Sequence, residues 1–215
     1  MEMLIKFETM LSPMERKVLD GLDSPIKIQS FLNTIPYSED EFYRCPLRVL
    51  RDRKGHCFDG ALFAAMALRR SGRPPLIMEL IPNGRDDDHI IALYKDFHYW
   101  GAIAQSNFTG IRFREPVYHS LRELVMSYFE FFFNSAGEKT LVGYRTPIDL
   151  KVFDVLNWMT SDQNLEQLSR GMDRYKIHPV ISEEMAVHLS PVDERSLRAG
   201  LLDANPDGLF KVPES

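Results

Sequence analysis

The sequence predicts an α+β chain in which a helix opening on a cysteine is followed by a strand and an antiparallel hairpin, with further helices at both ends. Three observations carry that reading. Gly55 to Gly72 forms a turn and then a helix, with Phe58, Ala61, Leu62, Ala65 and Leu68 at the three-and-four spacing of one apolar stripe and Ser71-Gly72 as the stop. Leu76 to Ile81 is an apolar run of strand length, set off by Arg73-Pro74-Pro75. His89 to Tyr94 and Tyr99 to Ala104 then flank a short polar break, the pattern of a hairpin.

The earlier helices are signalled by their caps. Ser12-Pro13-Met14-Glu15 combines an N-cap serine, a first-turn proline and a glutamate placed to close a capping box, and the helix should run to about Leu22. Ser24-Pro25 repeats the device, with Ile28, Phe31 and Leu32 as its apolar face. Residues 38–44 read as an acidic, aromatic loop, and Cys45 to Leu50 as a short helix leading into the Cys57 turn. After the hairpin, His119 to Asn134 reads as one strong aromatic helix, Lys139 to Arg145 as a strand, and Val152 to Met159 and Leu165 to Met172 as short helices. Residues 1–174 are expected to form a single domain and 175–215 a surface-hugging C-terminal extension.

Composition narrows the function. A net charge of −5 lacks the concentrated positive surface that nucleic acid requires. No apolar run approaches the ~20 residues of a membrane span, and the first residues lack the pattern of a signal peptide, so the expected location is the cytoplasm. The two cysteines, Cys45 and Cys57, have no spacing that suggests a zinc site or a disulfide, and thiols are expected to be reduced. Cys45 reads as structural.

Cys57 opens a helix, where unpaired N–H groups and the positive dipole end favour a thiolate. His89 opens a strand about thirty residues on. A fold that brought them together would let the imidazole take the thiol proton and return it to a leaving group. With Asp96-Phe97 as the hairpin turn, Ala104 would lie opposite His89, and Ser106 would be the next residue on that face. Asp86, Asp87 and Asp88 read as a solvated turn; a metal site from Asp86, Asp88 and His89 would have no fixed geometry. His56 reads as a surface or substrate-contact residue.

Gly-x-Cys at a helix start, small apolar residues after it, Asp-His at a strand start and a tryptophan on the return strand together resemble the transglutaminase-like branch of the papain-like cysteine fold, over residues 44–107. The resemblance implies an α+β core in which the Cys57 helix packs on an antiparallel sheet carrying His89, with Cys57 as nucleophile and His89 as base, acting on a peptide or amide substrate through a thioester and needing no cofactor or metal. It also implies an aspartate about four residues after the tryptophan, yet Trp100 leads to Ala104. Asn107 or Ser106 would have to orient His89 instead. The missing carboxylate motivates a second reading, an inactive domain of this type serving as a binding or scaffold module. A third places a ligand under the aromatic segment Leu121 to Phe133. Oligomeric state is not set by the sequence.

Overall fold

The computed structural model describes residues 2–212 and shows the expected mixture of helices and antiparallel sheet. Four short helices come first: α1 (Glu2–Thr9), α2 (Pro13–Asp20), α3 (Pro25–Leu32) and α4 (Pro46–Asp52). The α2 start carries the full capping box, Ser12 Oγ accepting from Glu15 N–H and the Glu15 carboxylate accepting from Ser12 N–H at 2.7 Å. Next comes α5 (Cys57–Arg70), followed by β1 (Leu76–Pro82), β2 (His89–Asp96), β3 (Tyr99–Ile103) and β4 (Arg114–Tyr118). The rest is α6 (Leu121–Met126), β5 (Leu141–Arg145), β6 (Ile148–Asp149), α7 (Leu165–Met172), β7 (Ile177–Pro179), α8 (Glu183–Ala186) and α9 (Glu194–Gly200).

The sheet runs β4-β3-β2-β1-β5-β7, with β6 paired beside β1, and every pairing is antiparallel. Its two faces bury separate apolar layers. Ile77, Ile90, Ala92, Tyr94 and Ile103 face α5 and the N-terminal helices. Met78, Leu80, Ile91, Leu93 and Ala102 face the other way, onto Leu124, Tyr128, Phe129 and Phe132. Both faces are covered, so β2 is buried along its first six residues and cannot show the apolar-polar alternation of a half-exposed strand.

α5 is the most deeply buried helix, closed to solvent nearly all round. Its Arg69 makes a paired bond to Asp154, which also accepts from Trp158 Nε1, and so ties the helix end to the 3₁₀ stretch Leu150–Leu156. At the other end Gly60 lies against the chain leaving β3, where a Cβ would come 2.3 Å from Gln105 Cβ. That chain is held by Gln29 of α3, whose side-chain amide bonds both the N–H and the carbonyl of Ala104 as a neighbouring strand would.

Two expectations need correction. The hairpin turn is Phe97-His98, not Asp96-Phe97: Asp96 pairs with Tyr99, and both turn residues are left-handed, at φ 53° and 70°. Two left-handed residues give the turn whose twist matches the strands, and that match outweighs the poor fit of Phe97 to the conformation. β3 is thereby shifted by two residues, and continuing its register sets Ser106, not Ala104, level with His89. The aromatic stretch is not one helix. α6 stops at Met126, Phe129–Phe131 is a 3₁₀ turn, and Phe133 bridges to Lys139. Aromatic residues are indifferent helix formers, and breaking the helix lets Tyr128, Phe129 and Phe132 all reach the sheet. Asn134 secures the bend, its side-chain oxygen accepting from Ala136 and Glu138 N–H groups.

The Gly60 contact gives a direct test. In an unobstructed helix interior alanine is favoured over glycine by about 1 kcal/mol, but here Gly60→Ala must push Gln105 away. The variant is expected to lose about 2 kcal/mol of stability, a fall of roughly 6 °C in thermal midpoint; a midpoint at or above wild type would show that the loop after β3 yields freely.

Candidate functional site

Cys57 is the first residue of α5, and its position is set by the residue two places on. Asp59 is fully buried, accepting from Arg44 N–H at 2.7 Å and from His56 N–H at 3.2 Å. The Arg44 guanidinium, itself buried, lies 3.8 Å from Asp59 and bonds Asp40, Asp52 and Ser38. Burial pushes the Asp59 carboxyl up to about 7, opposed by the two N–H donors and by Arg44. This network clamps the 38–44 loop beside the start of α5, and a cleft of about 390 Å³ opens between them.

Cys57 lines that cleft with Tyr37, His56, Glu79, Asp88 and Ile90. The residue is only 7% exposed. The thiol points to the Asp88 carbonyl at 3.9 Å, the Ile90 N–H approaches the sulfur, and the Tyr37 hydroxyl sits against both the thiol and the Cys57 N–H. Burial pushes the thiol well above its ordinary range, and the Asp88 and Asp87 carboxylates push it further. The Asp88 carboxyl is itself raised, by its seat in the cleft and by Asp87 and Glu79. His56 stands half-buried on the cleft wall, edge-on to Tyr43, and burial lowers its imidazole to about 4.

His89 lies elsewhere. Its β1 partner is Leu80, on the face turned away from α5, whereas the next residue, Ile90, packs with α5. Since neighbouring side chains on a strand point to opposite faces, a histidine one residue from the Cys57 side is carried to the far side of the sheet. There Nε2 donates to the Ile111 carbonyl at 2.8 Å, and the ring stands edge-on to Phe132. The site is 4% exposed, and burial lowers the imidazole to about 4.

Ser106, Asn107 and His89 share a smaller cavity of about 50 Å³. The three are therefore neighbours, but the hydrogen bonds go to other partners. Ser106 Oγ accepts from Phe108 N–H, and Asn107 exchanges a reciprocal pair with the Asn205 backbone, at 2.7 and 2.8 Å. Tyr37, Asp87, Asp88, Gly208 and Phe210 line both cavities and form the partition between them.

The acidic loop is also more structured than a solvated turn. Asp86 accepts from the Thr140 hydroxyl at 2.7 Å, and burial raises its carboxyl to about 6. Among the described residues, no three of His, Cys, Asp and Glu converge as a metal would require. Cys45 caps α4, fully enclosed, with its thiol pushed up to about 12 by burial. Tyr37 and the 205–210 segment are the site residues that sequence reasoning missed. Tyr37 follows Pro36 in a loop, and nothing local marks the distant segment that packs on it.

No family model matches the chain, and no curated protein matches it in sequence. Among solved structures the chain is similar to LapG of Legionella pneumophila in its EGTA-treated form, at 16% identity over 49% of this chain and 68% of that one, with a TM-score of 0.33. A second LapG structure gives 17% identity, 49% and 69% coverage and a TM-score of 0.34. A likeness of that size carries no argument about chemistry, and the α+β assignment rests on the elements themselves.

Proposed function

We propose that this chain is a binding module on a transglutaminase-like framework, and that the Cys57 cleft takes a basic peptide segment. The observation that carries the reading is the surroundings of Cys57. Burial, the largest cause, and the Asp88 and Asp87 carboxylates disfavour a thiolate more than the Tyr37 phenol and the Ile90 N–H favour one, while the strand histidine His89 is turned to the other face. The cleft has a second property that suits binding. Glu79 and Asp173 share Arg145, and Glu39 and Asp40 share Lys54, but among the described residues Asp87, Asp88 and Asp207 line the cleft without an ion pair. Arg170 stands on the same wall. The excess of carboxylates favours a cationic ligand, and no membrane-spanning helix is present among the described residues to bias the setting.

One observation favours a second reading, cysteine-dependent acyl transfer or amide hydrolysis. Cys57 opens a 14-residue helix at a solvent-connected cleft, and the cavity holding His89, Ser106 and Asn107 lies just behind the Tyr37 partition. In that reading the Cys57 sulfur attacks a carbonyl to form a thioester, and His89, oriented by Asn107 or Ser106, carries the proton to the leaving group. It requires Tyr37 to move and the β2 start to turn.

The pH profile of Cys57 alkylation separates the two. For the binding module the rate keeps rising above pH ~8.5, the ordinary thiol value, and His89→Gln leaves the profile unchanged. A neutral-pH plateau abolished by His89→Gln, together with acyl-probe labelling abolished by Cys57→Ala, would establish the enzyme. For the ligand, a lysine-rich peptide should bind with an affinity that falls as salt rises, and Asp87→Asn with Asp88→Asn should weaken it about tenfold; equal binding of a glutamate-rich peptide would rule the basic ligand out.

The buried histidines predict a pH effect on stability. His89 and His56 stay neutral in the fold down to about 4, whereas an unfolded histidine binds its proton near ~6.5. Between those values the unfolded state holds more protons, so these two groups make stability fall as pH drops from 6.5 toward 4. Asp59, raised to about 7, acts in the opposite sense, losing stability as pH rises toward 7. The clean measurement is a difference: wild type minus His89→Gln should shrink as pH falls through that window, and a constant difference would mean the ring takes up its proton as readily in the fold as in the unfolded chain.

A further inference from the structure

From the contacts of residues 205–210 we infer that this segment is a latched strap that pins Tyr37 beside Cys57 and must lift before a ligand can reach the thiol. The strap is built around Asn205. Its backbone N–H and carbonyl pair with the Asn107 side chain, and its own side chain donates to the Tyr37 carbonyl and to Glu39, both at 3.1 Å. Its side-chain oxygen accepts from Asp207 N–H and starts a 3₁₀ turn, Pro206–Gly208. Gly208 then lies on the Tyr37 ring so closely that a Cβ would come 3.0 Å from Cδ1.

The strap lies at the partition between the two cavities, against the Tyr37 ring. Gly208 and Phe210 line both cavities, and Asp207 and Leu209 complete the wall of the larger one. Tyr37 is the residue whose hydroxyl covers the Cys57 thiol and N–H. The strap therefore pins the ring that covers Cys57, and it does so through polar bonds on partly exposed groups and one glycine contact, not through a buried apolar layer. Contacts of that kind open locally at lower cost than the sheet beneath them. Lifting the strap frees Tyr37, widens the cleft and removes the partition toward the His89 cavity. This holds whichever reading of the cleft is correct, since it concerns access to Cys57 and not what happens there.

The experiment is the rate of iodoacetamide alkylation of Cys57 in the full chain at fixed alkaline pH, with the modified peptide identified by mass so that Cys45 is scored separately. Asn205→Ala removes the side-chain half of the latch, and Gly208→Val forces the strap off the Tyr37 ring. Both are expected to raise the Cys57 rate about tenfold, for Asn205→Ala through the loss of its side-chain bonds to Tyr37, Glu39 and Asp207, with the main thermal transition unchanged. Rates within twofold of wild type in both variants would overturn the strap. Hydrogen exchange of the unaltered chain provides a second arm that needs no variant: the amides of Asp207 and Gly208 should exchange well before those of β2. Exchange of the strap only together with β2 would mean that it is part of the global unit, and the proposal fails.

Discussion

The arrangement at the cleft depends on one buried carboxylate. Asp59 sits inside the first turn of α5 and takes hydrogen bonds from two separate stretches of backbone, at Arg44 and at His56. An acid in that position must either be satisfied or go uncharged, and the Arg44 network satisfies it while holding Ser38 and Asp40. The mouth of the cleft, the start of α5 and the loop carrying Tyr37 are therefore fixed relative to one another by a single set of polar contacts. Loss of Asp59 would leave the Arg44 and His56 N–H groups without their acceptor, while the Arg44 guanidinium would keep Asp40, Asp52 and Ser38. A buried donor left without a partner costs about 1–3 kcal/mol.

The scaffold was legible where local chemistry decides it. The α2 and α3 starts follow from Ser12-Pro13 and Ser24-Pro25, α5 from its apolar stripe, and β1 to β3 from their apolar runs. The helix packed on an antiparallel sheet is as expected. What local chemistry could not supply was register. The hairpin turn lies one residue later than the pair that looked best as a turn, because strand twist selects two left-handed residues and overrides residue preference at Phe97. The long aromatic helix failed for a related reason, since Tyr128, Phe129 and Phe132 all gain burial against the sheet only when the helix is interrupted.

Register also governs the candidate site. On a strand buried on both faces, chain order identifies the residues near a cysteine but parity decides which of them face it. Asp88 and Ile90 have the parity of the α5 side, and His89 has the other. Nothing in the composition of Asp86-Asp87-Asp88-His89-Ile90 reveals that parity, because both neighbours of the histidine are equally plausible cleft residues. The hydrogen bond to Ile111 then gives the ring a structural occupation, and Phe132 closes over it. Asn107 follows the same logic: an asparagine at the end of a sheet has both a donor and an acceptor to offer, and the backbone of Asn205, remote in sequence, takes both.

The acidity of the cleft and the state of Cys57 are one physical fact seen twice. Burial holds the thiol, Tyr37 and Asp88 toward their neutral forms, and the carboxylates gathered around the recess add to it by raising the cost of any further negative charge there. A cation entering the recess would oppose the carboxylate share of each shift, while burial would go on favouring the neutral forms. The cleft is thus coupled to its ligand electrostatically: a cationic group would ease the carboxylate share of the cost of a Cys57 thiolate, and an uncharged occupant would leave that share in place.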